Sequence, residues 1–185
     1  MIEVLLLSVA LATDSMTVSI VNGIKYKNYG KKEMFLSSFS FGLFQGLMPL
    51  LGYLVFYPIL SYVEKVDHWI VLIVLSIIGI NMIKEAFNKE EVDEKSSEFS
   101  FKILLAESIA TSIDALSTGI ALPTFSLNIY LSCFLIFIIT FVICLIAHHL
   151  GKKVSLILKD KAPILGGTIL ILLGIKTVLE HLNIL

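Results

Sequence analysis

Two carboxylates stand inside apolar stretches at matching places in the two halves of the chain. One is Asp14 in Thr13-Asp14-Ser15-Met16-Thr17, the other Asp114 in Ile113-Asp114-Ala115-Leu116-Ser117. An acid at the middle of a membrane-spanning helix costs roughly 3 kcal/mol on insertion scales, so its appearance in duplicate points to an ion pathway. The duplication extends to a hydroxyl, because Thr17 and Ser117 hold the same i+3 position on the face of each aspartate. Around the second motif, Glu107, Thr111, Asp114 and Thr118 fall within about 60° of one another at about 100° per residue, one wall of a hydrated path from the cytoplasm. Glu107, toward the cytoplasmic end, is either the first ligand a cation meets or an interfacial charge. Gln45 offers a neutral amide oxygen or a helix–helix hydrogen bond, and nearby Pro49 frees a backbone carbonyl. Carboxylate, hydroxyl and amide oxygens suit a hard divalent cation, where thiolates would select softer metals.

By helix rise, Asp14 lies roughly 18 Å from the outer end of its segment and Asp114 roughly 20 Å from the inner end of its own, so both fall centrally. Carried on helices of opposite direction, the two can meet and share one divalent cation. Mutual repulsion would leave the empty site holding a proton and the filled one releasing it, a route to proton-coupled cation exchange. The competing reading caps each aspartate with neighbouring hydroxyls or a helix lysine. Membrane hydroxyls taken singly more often bond back to their own helix.

The elements that must position these residues follow from composition. With 57% hydrophobic residues and a mean hydropathy of +0.92, the chain of 185 residues belongs in a bilayer. Six apolar runs can each span a hydrocarbon core about 30 Å thick: Ile2 to Val21, Met34 to Tyr57, His68 to Phe87, Phe101 to Pro123, Ile129 to Leu150 and Ala162 to Leu182. The first lacks the basic start and cleavage signal of a signal peptide and should be retained. Gly42 and Gly46 predict close packing of the second run, and Pro49 a bend. Cys133 and Cys144 read as buried free thiols. The adjacent His148 and His149 point about 100° apart, poor geometry for joint chelation, and read as interfacial. Asn81 and Lys176 align between halves; Lys176 is either a buried polar partner or snorkels outward beside Glu180, and neither residue is assigned to the ion.

All 14 basic residues are lysines, and twelve flank the connections that follow the first, third and fifth runs. Those sides face the cytoplasm, which places both termini outside. Besides the aspartate motifs, Ile77-Ile78-Gly79-Ile80 through Glu85 repeats as Leu172-Leu173-Gly174-Ile175 through Glu180. The expected fold is therefore an all-α polytopic membrane protein, six helices as two inverted three-helix repeats, over residues 1–87 and 101–185 with a solvated cytoplasmic linker at 88–100. Inverted repeats commonly place substrate near the midplane between units. There is no basic stretch for nucleic acid, and no phosphate loop, nucleophile elbow or CxxC knuckle, so an enzyme is not supported and energy must come from a gradient or the membrane potential. The lipid bilayer is the evident partner, and homo-oligomerisation is left open.

Five motifs in order also resemble the MntP family of manganese efflux pumps: Asp14 to Ser19, Gly42 to Pro49-Leu50, Asp67-His68-Trp69-Ile70, Ile109 to Leu116 and Ile164-Leu165-Gly166-Gly167. The resemblance covers essentially the whole chain. It implies a bacterial inner-membrane exporter of manganese, related in fold to lysine-exporter-type transporters, with manganese as cargo and no resident cofactor. The family's intramembrane aspartates carry over onto Asp14 and Asp114, with Thr17, Ser117, Thr111, Gln45 and Glu107 around them. The chain departs from the family pattern at Thr13, Thr17 and Glu107. A non-transporting scaffold, a sporulation-associated relative, or an exporter of an amino acid or another small cation are the alternatives.

Overall fold

A run of apolar residues surrounded by hydrocarbon can satisfy its peptide groups only within itself, so each run becomes a helix. The computed structural model describes residues 1–26, 30–54, 67–87, 99–122, 127–158 and 161–182, and these residues form helices and short connections with no strand among them. In order they are α1 (Ile2–Lys25), α2 (Lys31–Leu54), α3 (Asp67–Phe87), α4 (Phe101–Ser112), α5 (Ala115–Ala121), α6 (Ile129–Leu158) and α7 (Ala162–His181). Four of them, α1, α2, α6 and α7, are long and apolar enough to cross a membrane, while the apolar part of α3, His68–Lys84, is shorter. The expected linker at 88–100 lies almost wholly outside the described residues.

Polarity is inverted relative to a water-soluble protein. Ser15, Gln45, Glu107, Ser108 and Thr140 are buried, whereas Leu6, Ile73, Phe134, Ile146 and Leu172 are exposed. Such an exterior is stable only against lipid.

Contact registers set the helix directions. Ser15 meets Thr111 and Asn22 meets Glu107, so α1 and α4 run antiparallel. The Phe35 ring lies on Phe141 and the Phe39 ring on Phe137, so α2 and α6 do likewise. Gly79 lies against Gly167 while Gly174 lies against Leu72, which makes α3 and α7 antiparallel. Backbones approach closely where glycines line the crossings: a Cβ on Gly52 would strike the Leu116 carbonyl of α5, and one on Gly119 the Pro49 carbonyl of α2. Gly42 and Gly46 seat α2 on Phe137 and Cys133 of α6, the close packing expected of them.

Two helix boundaries differ from expectation. The fourth run is not one helix to Pro123 but breaks at Ile113 and Asp114, although both keep right-handed helical angles. Leu116 N–H donates to the Ile113 carbonyl and Ser117 N–H to that of Asp114, each at 3.2 Å, the i−3 pattern of a tightened turn. The Asp114 carboxylate competes for the same backbone and accepts from Ala115 N–H at 2.8 Å. The fifth run continues past Leu150 to Leu158, because Gly151 is drawn into the α1 crossing, where a Cβ would strike the Ile20 carbonyl. His148 is consequently fully buried rather than interfacial, beside Phe41, while His149 is exposed.

Replacing Gly52 with Val should drive α2 off α5 and destabilise the fold by about 1–3 kcal/mol or more. A lower apparent melting temperature and loss of monodisperse protein in detergent would register it. Gly30→Ala, whose Cβ would meet only the flexible Glu33 side chain, should leave both unchanged.

Candidate cation site

The inward face of α1 carries Ser8, Ser15, Ser19 and Asn22 at helical spacing, all buried. Opposite it, α4 presents Glu107, Ser108, Thr111 and Ser112, and α2 contributes Ser40 and Gln45. These form a polar seam inside an apolar shell.

At its centre the Ser15 hydroxyl is 3.1 Å from Thr111 Oγ1 and 3.4 Å from Gln45 Oε1 and can donate to either. Thr111 donates to the Glu107 carbonyl at 3.0 Å, and Gln45 Nε2 to the Leu11 carbonyl at 3.1 Å. Ser40 and Ser108 share a hydrogen bond of 2.8 Å. Further along, Asn22 Nδ2 donates to Glu107 Oε2 at 2.6 Å. Glu107 is 1% exposed, and among the described residues neither its Oε1 nor Asn22 Oδ1 has a hydrogen-bond partner. Two inward acceptor oxygens without a donor are complementary to a cation, and leaving them empty is unfavourable by about 1–3 kcal/mol each.

The aspartates flank this seam. Asp14 is half-buried, with Lys176 Nζ 3.9 Å from its Oδ1, and the same ammonium is 3.3 Å from Glu180 Oε1. Asp114 is exposed and caps α5. Thr17 bonds back to the Thr13 carbonyl at 2.9 Å and Thr118 to that of Ala115 at 2.7 Å. Ser117 is half-buried on the first turn of α5. Of the residues expected to surround a cation, the structure thus joins Thr111, Gln45 and Glu107 in one seam. Thr17 and Thr118 turn to their own backbones. Among the described residues no three His, Cys, Asp or Glu side chains gather round one point, so hydroxyl, amide and water oxygens would supply much of any coordination.

Sequence reasoning passed over Ser15 and Asn22 and did not join Lys176 to Asp14. The first two had a signal, the recurrence of polar residues at 8, 15, 19 and 22 on one helical face. Lys176 reads from the sequence as a polar partner or as lying beside Glu180, where the structure does place it, but its approach to Asp14 is not expected.

The family model described as "Putative manganese efflux pump" matches residues 28–178. The chain belongs to the MntP family. A relative in Campylobacter jejuni, named "Putative manganese efflux pump MntP", is 44% identical over 180 residues, covering 97% of this chain and 96% of that one. One of the same name in Aliarcobacter butzleri is 45% identical over 179 residues, covering 97% and 99%. "Putative manganese efflux pump MntP 2" of Clostridium botulinum is 40% identical over 195 residues, covering 100% and 97%. No solved structure matches. The MntP family is one of transporters, not enzymes, and with its apolar exterior this member is a multi-pass membrane protein.

Truncating Asn22 to Leu should strand the Glu107 carboxylate and destabilise the protein by about 2–3 kcal/mol. Adding Glu107→Leu should recover most of that, because both members of the buried pair are then apolar. Thermal unfolding of the two single variants and the double variant in detergent measures the coupling.

Proposed function

We propose that the chain exports divalent manganese from the cytoplasm across the bacterial inner membrane. Near-full-length similarity to proteins named as manganese efflux pumps is the observation that carries this reading. The oxygen chemistry of the seam supports it, since manganese accepts carboxylate, hydroxyl, amide and water ligands. Asp14 and Asp114 are the central ligands. Their helices touch at Ser15 and Thr111, next to Asp14 and one turn before Asp114. Thr111, Gln45, Thr17 and Ser117 supply supporting neutral oxygens, and Glu107 is the entry residue on the cytoplasmic side.

In this reading residues 1–87 and 101–185 are inverted repeats joined by the linker at 88–100. The antiparallel course of α1 against α4, α2 against α6 and α3 against α7 supports that arrangement. Lysine distribution supports termini outside. Transport is gradient-driven, with protons exchanged for metal as carboxylates alternate between the two. The ion pair between Asp14 and Lys176 favours a second reading, a static scaffold in which the aspartates only lock helices together.

Substitution separates the two. Asp14→Asn and Asp114→Asn should each leave the protein abundant in the membrane yet abolish manganese tolerance in cells lacking other exporters. Full tolerance in both would establish the scaffold. Uptake of manganese into everted vesicles should accelerate under an imposed pH gradient and should compete poorly with calcium.

A further inference from the structure

Lys176, its side chain 45% exposed, is the charged neighbour of Asp14 that the transport reading has not used. It projects from the fourth turn of α7 onto α1 and places its ammonium between two carboxylates, 3.9 Å from Asp14 and 3.3 Å from Glu180. Glu180 is the i+4 neighbour on the same helix and is half exposed, whereas Asp14 is the more enclosed acid. Lys176 and Glu180 are the charged groups acting on Asp14.

A lysine is a compact point charge on a flexible stem, with side-chain freedom to exchange one acceptor for another along a helix turn. A cation that binds Asp14 meets this one 3.9 Å from the same carboxylate and is repelled by it. We propose that Lys176 is a tethered counter-cation that competes with the transported ion for Asp14, with Glu180 as the seat to which its ammonium retreats when the site is filled. The return of the ammonium to Asp14 expels the ion. Because Lys176 stands near the end of α7 that the lysine distribution places outside, expulsion is directed outward. Occupancy of Asp14 by a built-in cation lowers the fraction of protein competent to bind, and apparent affinity falls by that fraction. A pump needs that weakening, since a site that holds its ion tightly on both sides cannot release it.

The proposal rests on the manganese reading, and binding and flux measured on the full-length chain test the two separately. In nanodiscs, titration with Mn2+ followed by loss of the free-ion paramagnetic resonance signal gives affinity. Reconstituted vesicles give turnover. Lys176→Met should tighten Mn2+ binding by about three- to tenfold while lowering turnover at saturating metal, because the competitor is gone and release is unassisted. Glu180→Gln should act in the opposite direction on affinity, weakening it severalfold, since the ammonium then has only Asp14 to neutralise. Lys176→Arg should stay near wild type in affinity. A merely structural ion pair would weaken binding in the Lys176→Met and Glu180→Gln variants alike through disordering of α7. Unchanged or weaker affinity in well-folded Lys176→Met, or tighter affinity in Glu180→Gln, overturns the proposal. If Lys176→Met does not fold, Lys176→Gln, which removes the charge but keeps a polar end, takes its place and must likewise bind Mn2+ more tightly than wild type. A wild-type protein that neither binds nor moves Mn2+ overturns the manganese reading instead.

Discussion

Polar side chains in this protein have no water to fall back on, and the packing follows from how they find one another. A hydroxyl or amide in hydrocarbon must bond within the bundle or be strongly destabilising. Ser15, Gln45 and Thr111 satisfy that requirement jointly, from three different helices, at the point where α1, α2 and α4 converge. Apolar packing alone would not specify this register, because lipid tails solvate a leucine face about as well as another helix does. The seam therefore sets rotation and depth together. Clusters around Val18, Phe41, Leu75 and Leu170 on one side, and Leu11, Ala115 and Ile136 on the other, fill the space it leaves.

Close backbone approach serves the same end. Gly52 and Gly119 interlock α2 with α5, and Gly23 and Gly151 interlock α1 with α6. Dispersion between backbones at such distances replaces the hydrophobic drive that is missing inside a bilayer. The break at Ile113 and Asp114 lies between these interlocked regions. A carboxylate that bonds the N–H of its successor takes a donor from the helix ladder, and the turn tightens to compensate. Irregular backbone of this kind is tolerated at membrane depth where protein or a cavity surrounds it, which fits a place where an ion passes.

Much of this was legible in the residues themselves. Hydropathy placed the helices, since a run of some twenty apolar residues has few alternatives, and the glycines of α2 foretold close packing, though not that α6 would be the partner. The exceptions are tertiary. Nothing local distinguishes Gly151 as a helix-continuing glycine from a helix end, because only the carbonyl of Ile20 across the crossing makes the difference. His148 looked interfacial beside a lysine pair, yet two more helical turns follow it and its ring packs by Phe41. The acids were visible as anomalies and a helix lysine was among the expected caps, but which lysine meets which acid was not legible. A period search across α1 reaches Ser15 and Asn22, whereas the meeting of Lys176 with Asp14 depends on the angle at which α7 crosses α1, which no spacing encodes.

The distribution of charge along the seam bears on how a divalent ion could cross it. Neutral oxygens occupy the middle, at Ser15, Gln45 and Thr111, with a buried carboxylate toward one end at Glu107 and a half-buried one adjoining the other at Asp14. A row of carboxylates would trap a metal, and a row of hydroxyls alone would not strip its water. Conduction needs binding strong enough to admit the ion and divided enough to let it go. Among the described residues Glu107 has the neutral Asn22 amide as its side-chain hydrogen-bond partner, with the charge of Lys25 also acting on it, whereas Asp14 has an ammonium 3.9 Å from its Oδ1, so its attraction is more directly answered. Under the proposed orientation the stronger acceptor faces the cytoplasm and the attenuated one the exterior. That asymmetry makes capture easier on one side and release easier on the other, as the proposed export requires.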